Sequence, residues 1–235
     1  MNEVPRSLIK NQILLALSDE TFSRLSPHLE SVELPHQKVL YEMEGPVTQV
    51  YFPNNAMVSL VTEMADGKIV EVGVVGNDGM TGIAALMGNP TSPERAVVQI
   101  PNGGWSAPFK IIKEQFLRGD DLQTVLLNYA RRLMRQVSQT AACNASHTAE
   151  ERLSRWLLMC QDRVDGNDLK LTQEFIAEML GTRRATVSLA AMVLQNDGLI
   201  NYNRGRITIT DRKGLEEFTC ECYQALKRSN AISSH

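Results

Sequence analysis

The stretch from Leu171 to Ile209 constrains the fold more than any other part of the sequence. Two short helical patterns meet at Gly181, a residue that can close a helix in a left-handed turn. Threonines at positions 172 and 182 are placed to cap these two helices. Asp197-Gly198 ends the second helix. A strand over Leu199–Tyr202, a turn over Asn203–Gly205 and a returning strand over Arg206–Thr210 follow it. Helix, tight turn, helix and a two-stranded wing form the outline of a DNA-reading module.

Charge within this region agrees with that interpretation. Between residues 183 and 213 there are six basic residues, Arg183, Arg184, Arg204, Arg206, Arg212 and Lys213. The two acidic residues are Asp197 and Asp211, so the local net charge is +4, whereas the whole chain carries −3. Positive charge is therefore concentrated where a phosphate backbone would lie. A helical pair with a solvated basic face is the simpler alternative.

Length and composition set the frame for the rest of the chain. The 235 residues, 43% of them hydrophobic, are enough for two domains with sizeable cores. No apolar run approaches the roughly 20 residues that span a bilayer, and the N-terminus lacks a secretory signal. Its apolar residues have the spacing of an amphipathic helix: Leu8, Ile9, Ile13, Leu14 and Leu17. The sequence predicts a cytoplasmic protein without a membrane partner.

From Ser31 to Ile112 the sequence has the character of an antiparallel β-domain. Short β-rich runs alternate with turn residues, and Ala65-Asp66-Gly67-Lys68 is a strong hairpin signal. The predicted strands are Val39–Tyr41, Val50–Phe52, Met57–Met64, Ile69–Val75 and Ala96–Ile100. A short helix is predicted between Met80 and Leu86. Strands at this spacing indicate a β-roll or jelly-roll domain.

A long helix is predicted from about Ile111 to His147. Apolar residues recur on it in steps of three or four, which favours packing against a second copy in a two-fold dimer. The predicted interface is Leu122, Leu126, Tyr129, Leu133, Val137 and Thr140. Packing of this stripe against the chain's own barrel is the alternative.

The polar residues Asn144–Thr148 predict a hinge after the long helix. An amphipathic helix then runs from Glu150 to Val164, and a terminal helix from Gly214 to Lys227. The predicted organisation is a sensory domain over 1–117, a dimerisation helix and hinge over 118–147, and a winged helix-turn-helix domain over 148–235. The fold class is α+β.

The sequence predicts neither a metal site nor a cofactor. The four cysteines lack a repeated C-x-x-C spacing; Cys143 and His147 could share a helix face, but two ligands do not make a site. On a continuous helix, Cys220 and Cys222 would point about 200° apart. An enzyme would require clustered His, Asp, Glu or Cys in a concave site, and the only histidines near the barrel are His28 and His36. We therefore predict that the chain is not an enzyme.

The order of β-roll, long helix, hinge and winged helix-turn-helix resembles the Crp/Fnr family of bacterial transcription regulators over nearly the whole chain. The strongest match is Leu171–Ile200 with the wing residues Asn203–Ile207; weaker matches are Glu44-Gly45, residues 79–82 and Glu94-Arg95. The resemblance implies a homodimeric, effector-responsive regulator on a near-palindromic operator in double-stranded DNA. RNA polymerase is a further partner that it implies.

The effector site that the resemblance implies departs from the family pattern. Gly82, Ile83, Arg95 and Ala96 occupy the positions that hold a cyclic nucleotide in the family. Isoleucine replaces the glutamate that holds the ribose hydroxyl, and an unpaired buried hydroxyl costs about 1–3 kcal/mol. Cyclic AMP is therefore not expected. Arg95 could hold another small anion or pair with a local carboxylate such as Glu94, and a vestigial, ligand-free barrel is the alternative.

Two other sensing modes of the family find little support. No cysteine precedes Cys143, so the N-terminal cysteine cluster that ligates an iron–sulfur centre is missing. His28, His36 and His147 lack a motif that would support haem ligation.

The recognition helix also departs from the family. Arg184 and Thr186 match a base-reading arginine and a phosphate-contacting threonine, but Ala185 and Leu189 replace the usual glutamate and arginine. The candidate base readers are Arg183, Arg184 and Ser188. The candidate phosphate contacts are Thr182, Thr186, Tyr202, Arg204 and Arg206. The operator should differ from the family's usual one.

Overall fold

The computed structural model describes residues 4–231. The chain forms two compact units, one of Met1–Leu60 with Val74–Leu133 and one of Val61–Gly73 with Met134–His235. The unit boundary therefore falls inside the long helix, and a segment of the β-domain groups with the C-terminal unit. In the described residues no helix is long and apolar enough to cross a membrane.

The first unit begins with a 3₁₀ turn, Arg6–Leu8, and two short helices, α1 (Gln12–Leu15) and α2 (Asp19–Leu25). The amphipathic helix predicted from the spacing of Leu8 to Leu17 is not continuous, because Asn11 interrupts it. The buried Asn11 side chain accepts from the backbone N–H groups of Ile13 and Leu14 and donates to two carbonyls elsewhere in the unit.

The β-domain consists of seven strands and a short helix. They are β1 (Glu30–Leu34), β2 (Val39–Tyr41), β3 (Gln49–Pro53), β4 (Met57–Glu63), β5 (Ile69–Val75), α3 (Ile83–Met87), β6 (Arg95–Ile100) and β7 (Asn102–Pro108). The strands form two antiparallel sheets in the orders β1-β7-β3 and β2-β6-β4-β5. The predicted strands, the hairpin at 65–67 and the short helix are confirmed.

Strands β1 and β7 were not predicted, because β1 carries two glutamates and β7 begins Asn-Gly-Gly. In β7, a Cβ at Gly104 would lie 2.7 Å from the carbonyl oxygen of Phe52. The close approach of β3 and β7 therefore requires glycine at this position.

Two helices follow the β-domain, α4 (Phe109–Phe116) and α5 (Asp121–Ser146). The predicted continuous helix is wrong because the chain turns between them, with Gly119 at φ +78°. At its other end α5 continues through Asn144 to Ser146, so the predicted hinge shortens to His147 and Thr148.

The second unit contains the remaining elements. They are α6 (Ala149–Gln161), β8 (Asp168–Lys170), α7 (Gln173–Met179), α8 (Arg184–Asn196), β9 (Ile200–Asn203), β10 (Arg206–Ile209), α9 (Arg212–Phe218) and α10 (Glu221–Ala231). A capping box between Thr148 and Glu151 starts α6. Buried Trp156 on α6 donates from Nε1 to Glu71 Oε1 at 2.8 Å. The predicted terminal helix is in fact two helices, broken at Thr219 and Cys220.

Candidate nucleic-acid interface

Helices α7 and α8 are joined by the tight turn that the sequence predicts. Thr172 caps α7 by accepting from the Phe175 N–H at 3.2 Å, and Gly181 has φ +59°. The cap of α8 is Arg183, without a side-chain hydrogen bond, so the prediction of Thr182 as the cap is wrong. Instead the Thr182 N–H donates to Ala177 O and closes the end of α7. The first N–H groups of α8 are therefore left without a capping side chain, as suits a helix end that meets phosphate.

Helix α8 has one buried and one exposed face. Its buried residues are Val187, Ala190, Ala191 and Leu194. The first turn is exposed at Arg183, Arg184 and Ala185, and Leu189 is 59% exposed one turn further on. A leucine exposed to this degree lies where an apolar contact with a thymine methyl group is available.

Two side chains of α8 are fixed by the first turn of α7. Arg184 Nε lies 2.9 Å from Glu174 Oε1, and Ser188 Oγ donates to Gln173 Oε1 at 2.7 Å. Thr186 is half-buried in the first turn of α8. These contacts hold two of the three candidate base readers, Arg184 and Ser188, against α7 before DNA is present.

The wing is a two-residue hairpin between β9 and β10. Arg204 and Gly205 both have positive φ, +48° and +74°, as a type I′ turn requires. Strand β8, which was not predicted, pairs with β10 and makes the wing three-stranded. Both Arg204 and Arg206 are exposed. The wing therefore presents two guanidinium groups at and just beyond its tip.

The wing tip and the two helices converge on residues 171–174. The Leu171 N–H donates to Gly205 O at 2.8 Å, and Tyr202 Oη donates to Leu171 O at 3.4 Å. Burial raises the pKa of Tyr202, and the charges of Glu174 and Arg184 also act on it. Tyr202 is thus a neutral hydroxyl that bridges wing and helix pair. The predicted DNA-binding residues on the helices and the wing belong to one continuous region.

Not all of the basic charge counted from the sequence is available to DNA. Arg212 forms ion pairs with Asp162 at 2.6 Å and with Glu216 at 3.0 Å, and it donates to Tyr223 Oη. Arg206 lies 3.7 Å from Asp168, with both side chains more than half exposed. Arg212 therefore joins α6, α9 and α10, whereas the exposed Arg206 can exchange its partner for a phosphate.

The residues predicted to hold an effector lie in the β-domain. Ile83 and Ala96 are buried, and Gly82, at φ +80°, is the N-cap of α3. Arg95 Nε lies 3.1 Å from Glu42 Oε2, so its carboxylate partner is Glu42 rather than Glu94. An anion that bound Arg95 through Nε would compete with this carboxylate.

The residues predicted to form a dimer interface divide into two groups. Leu122, Leu126 and Tyr129 are buried within the chain itself, and Tyr129 Oη donates to Met80 O at 2.9 Å. These three side chains are covered without a partner, as in the alternative in which the stripe packs on its own barrel. Leu133, Val137 and Thr140 are half-buried. The exposed large apolar residues of α5 are Leu127, at 47%, and Met134, at 65%.

One group of residues was missed in the sequence. Cys143, His147, Cys220 and Cys222 bring their ligand atoms within 4.8 Å of one another. On one continuous helix Cys220 and Cys222 would point apart, but Cys220 lies in the break before α10, so the two thiols reach the same side. A hydrogen bond from Cys143 holds the pKa of Cys220 below its usual range. The short C-x-C spacing beside a Cys-x₃-His pair was the available signal.

Comparison with known proteins agrees with this geometry. The model of the Crp-like helix-turn-helix domain matches residues 151–218. The global nitrogen regulator of Synechocystis sp. is 25% identical over 224 residues, which cover 91% of this chain and 99% of that protein.

Solved structures share the fold. FixK2 from Bradyrhizobium japonicum superimposes with a TM-score of 0.69 at 18% identity, covering 82% of this chain and 98% of FixK2. The c-di-GMP responsive regulator CLP of Xanthomonas campestris gives a TM-score of 0.64 at 16% identity, covering 83% of this chain and all of CLP.

A β-roll domain, a long helix and a winged helix-turn-helix together define a DNA-binding transcriptional regulator. Residues 151–218 match the Crp-like helix-turn-helix domain, and the chain is similar over nearly its whole length to regulators of the Crp/Fnr family.

Proposed function

We propose that the chain binds a near-palindromic operator in double-stranded DNA as a homodimer. The observation that carries this proposal is the convergence of the exposed first turn of α8 and the arginine-bearing wing tip on residues 171–174. Arg183, Arg184 and Ser188 would face base edges, and Thr182, Thr186, Tyr202, Arg204 and Arg206 would contact phosphates and fix the register. RNA polymerase is the expected further partner of such a regulator.

The dimer would form along the exposed face of α5. Residues at steps of four and three share this face: Leu127, Arg131, Met134, Ser138, Ala141 and Ala145. This is the heptad spacing of a two-helix seam, and the small residues toward its end permit close approach. Leu133, Val137 and Thr140 would flank the seam. A two-fold seam on α5 would give two recognition helices for two half-sites.

Analytical ultracentrifugation combined with footprinting tests this proposal. We expect a dimer that protects half-sites about 10 bp apart. Met134→Glu places a charge in the seam and should yield a monomer that loses this protection. Met87→Glu is the matched control, since Met87 is also exposed, at 54%, but lies on α3. A wild-type monomer, or a Met134→Glu variant that remains dimeric, would contradict the proposal.

The effector, if the β-domain binds one, is a small anion other than cyclic AMP. Cyclic AMP is excluded from this proposal because Ile83 supplies no carboxylate to bind its ribose hydroxyl. The Arg95–Glu42 ion pair favours a second candidate, a ligand-free barrel in a regulator controlled by a protein partner or by abundance. A thermal-shift screen of small anions separates the two, since a ligand at 100 times its Kd adds about 2.7 kcal/mol of stability.

A further inference from the structure

The side chains of Cys143, His147, Cys220 and Cys222 form a compact group in the second unit, here called the thiol–imidazole cluster. Their four ligand atoms all lie within 4.8 Å of one another. The three cysteines are 0%, 5% and 1% exposed, and the His147 side chain is 17% exposed. Three thiols and an imidazole form a donor set that proteins use for tetrahedral zinc.

Distances within the cluster fit donors around one ion. Cys143 Sγ and Cys220 Sγ are 3.6 Å apart, and Cys222 Sγ lies 3.7 Å from His147 Nδ1. With Zn–S bonds of about 2.3 Å, a tetrahedron has sulfur–sulfur edges of roughly 3.8 Å. A disulfide would need the two sulfurs at about 2.05 Å. The sulfurs are therefore spaced as two ligands of one metal ion.

The second nitrogen of His147 supports the same assignment. His147 Nε2 lies 3.2 Å from Glu221 Oε2. When Nε2–H donates to this carboxylate, Nδ1 keeps its lone pair, and that lone pair is on the side of Cys222. Histidines that bind metals almost always donate their other ring N–H to such an acceptor. Glu221 thus fixes the tautomer that ligation needs.

The backbone explains how four residues distant in sequence meet. The His147 N–H donates to Cys143 O at 3.1 Å, so the helical path continues to His147 and the two side chains share a face. The Cys220 residue lies in the break between α9 and α10, and Cys222 lies in the first turn of α10. The fourth cysteine, Cys160 on α6, is buried outside the cluster.

A buried arginine would balance the net negative charge of a zinc–thiolate centre. Zinc with three thiolates and a neutral imidazole carries a net charge of −1. The Arg155 guanidinium acts electrostatically on Cys143, and this residue is only 2% exposed. Its Nε has no hydrogen-bond partner among the described residues. A cation held this way suits an anionic metal–thiolate centre better than four neutral side chains.

We propose that Cys143, His147, Cys220 and Cys222 bind one zinc ion per chain. The ion would join the end of α5 to the start of α10, on either side of the helix-turn-helix in sequence. It would stabilise the unit that reads DNA without taking part in DNA contact.

Zinc content and cobalt spectroscopy of the full chain test this proposal. Protein purified under reducing conditions, without chelator or a metal-affinity step, should contain about one zinc per chain by mass spectrometry. Apo protein titrated with Co²⁺ should develop thiolate charge-transfer and tetrahedral visible bands that saturate at one equivalent. Zinc should then displace the cobalt.

Variants locate the ligands. Cys143→Ser and Cys222→Ser should lose most of the zinc, whereas Cys160→Ser, an equal change at a buried cysteine outside the cluster, should keep it. Glu221→Gln should weaken retention of zinc against a chelator by about 10-fold or more. Wild-type protein with no bound zinc and no cobalt–thiolate band would overturn the proposal, and so would a Cys143–Cys220 disulfide in protein purified anaerobically. The zinc content and the cobalt spectrum of the wild-type protein do not depend on how the variants fold or on whether the protein binds DNA.

Discussion

The Arg184 guanidinium on α8 is paired with Glu174 on α7, with Nε and Oε1 2.9 Å apart. Both side chains are about two-thirds exposed, so the pair contributes at most about 1 kcal/mol to stability. Its effect is on geometry, because it holds the arginine at the edge of α8 that faces outward. A guanine edge in the major groove offers Arg184 a bidentate partner that can replace the carboxylate.

Arg184→Ala should weaken specific binding by about 1–3 kcal/mol, or roughly 5- to 150-fold, and relax sequence preference at one position. The reason is the loss of a base contact, which non-specific DNA does not supply. Fluorescence anisotropy with operator and scrambled duplexes measures both affinities. Lys110→Ala, an equal charge change at an exposed site on α4, is the control. Equal losses on both duplexes would show that Arg184 contacts only phosphate.

Arg206→Ala should weaken binding to all sequences alike. Its guanidinium is exposed and only loosely paired with Asp168, at 3.7 Å, so it can neutralise one phosphate. The slope of log K against log salt concentration should fall by about 1. Binding isotherms at four salt concentrations measure this slope. A change of preference at a single base pair would instead assign Arg206 to base reading.

Arg204→Asn should change stability and DNA affinity in opposite directions. Arginine at φ +48° occupies a left-handed conformation that asparagine adopts more easily, and asparagine before glycine is the preferred sequence of a type I′ turn. Unfolding by urea should show a gain of about 1 kcal/mol, while DNA binding loses one phosphate contact. Arg204→Lys, which keeps the charge, should leave the salt slope unchanged. A loss of stability in the asparagine variant would contradict the assigned turn.

Arg212→Ala should destabilise the protein and leave the salt slope of DNA binding unchanged. Its side chain pairs with Asp162 and Glu216 and contacts Tyr223, so removal leaves several half-buried polar groups without a partner. With solvent screening taken into account, we expect a loss of about 1–3 kcal/mol in urea unfolding. Binding is measured at a temperature where the variant is folded. A slope reduced by about 1 would mean that Arg212 also contacts phosphate.

Features set by neighbouring residues could be predicted from the sequence. Thr172 as a cap, Gly181 as a left-handed turn and the hairpin near Gly67 depend on local chemistry, and all three are confirmed. The position of the second cap was wrong by one residue, because the Thr182 N–H serves the end of α7.

Features set by distant pairing could not be predicted. Strand β8 is only three residues long and forms because β10 lies beside it. Periodicity shows which face of α5 is apolar but not whether a barrel or a second copy covers it, so Leu122 and Tyr129 could not be distinguished from dimer contacts. The cluster around Cys143 depends on a helix break at Cys220 that has neither proline nor glycine to mark it.

Strand β8 also has a thermodynamic consequence for recognition. It pairs with β10 on one side and leads through Leu171 into α7 on the other, so the wing tip and α7 are joined by both backbone and hydrogen bonds. Helix α7 in turn contacts the recognition helix α8 through Glu174 and Gln173. The spacing between the wing arginines and α8 is therefore set in the free protein. DNA binding therefore does not have to order a flexible hairpin, and the conformational entropy lost on association is smaller than it would be for a flexible wing.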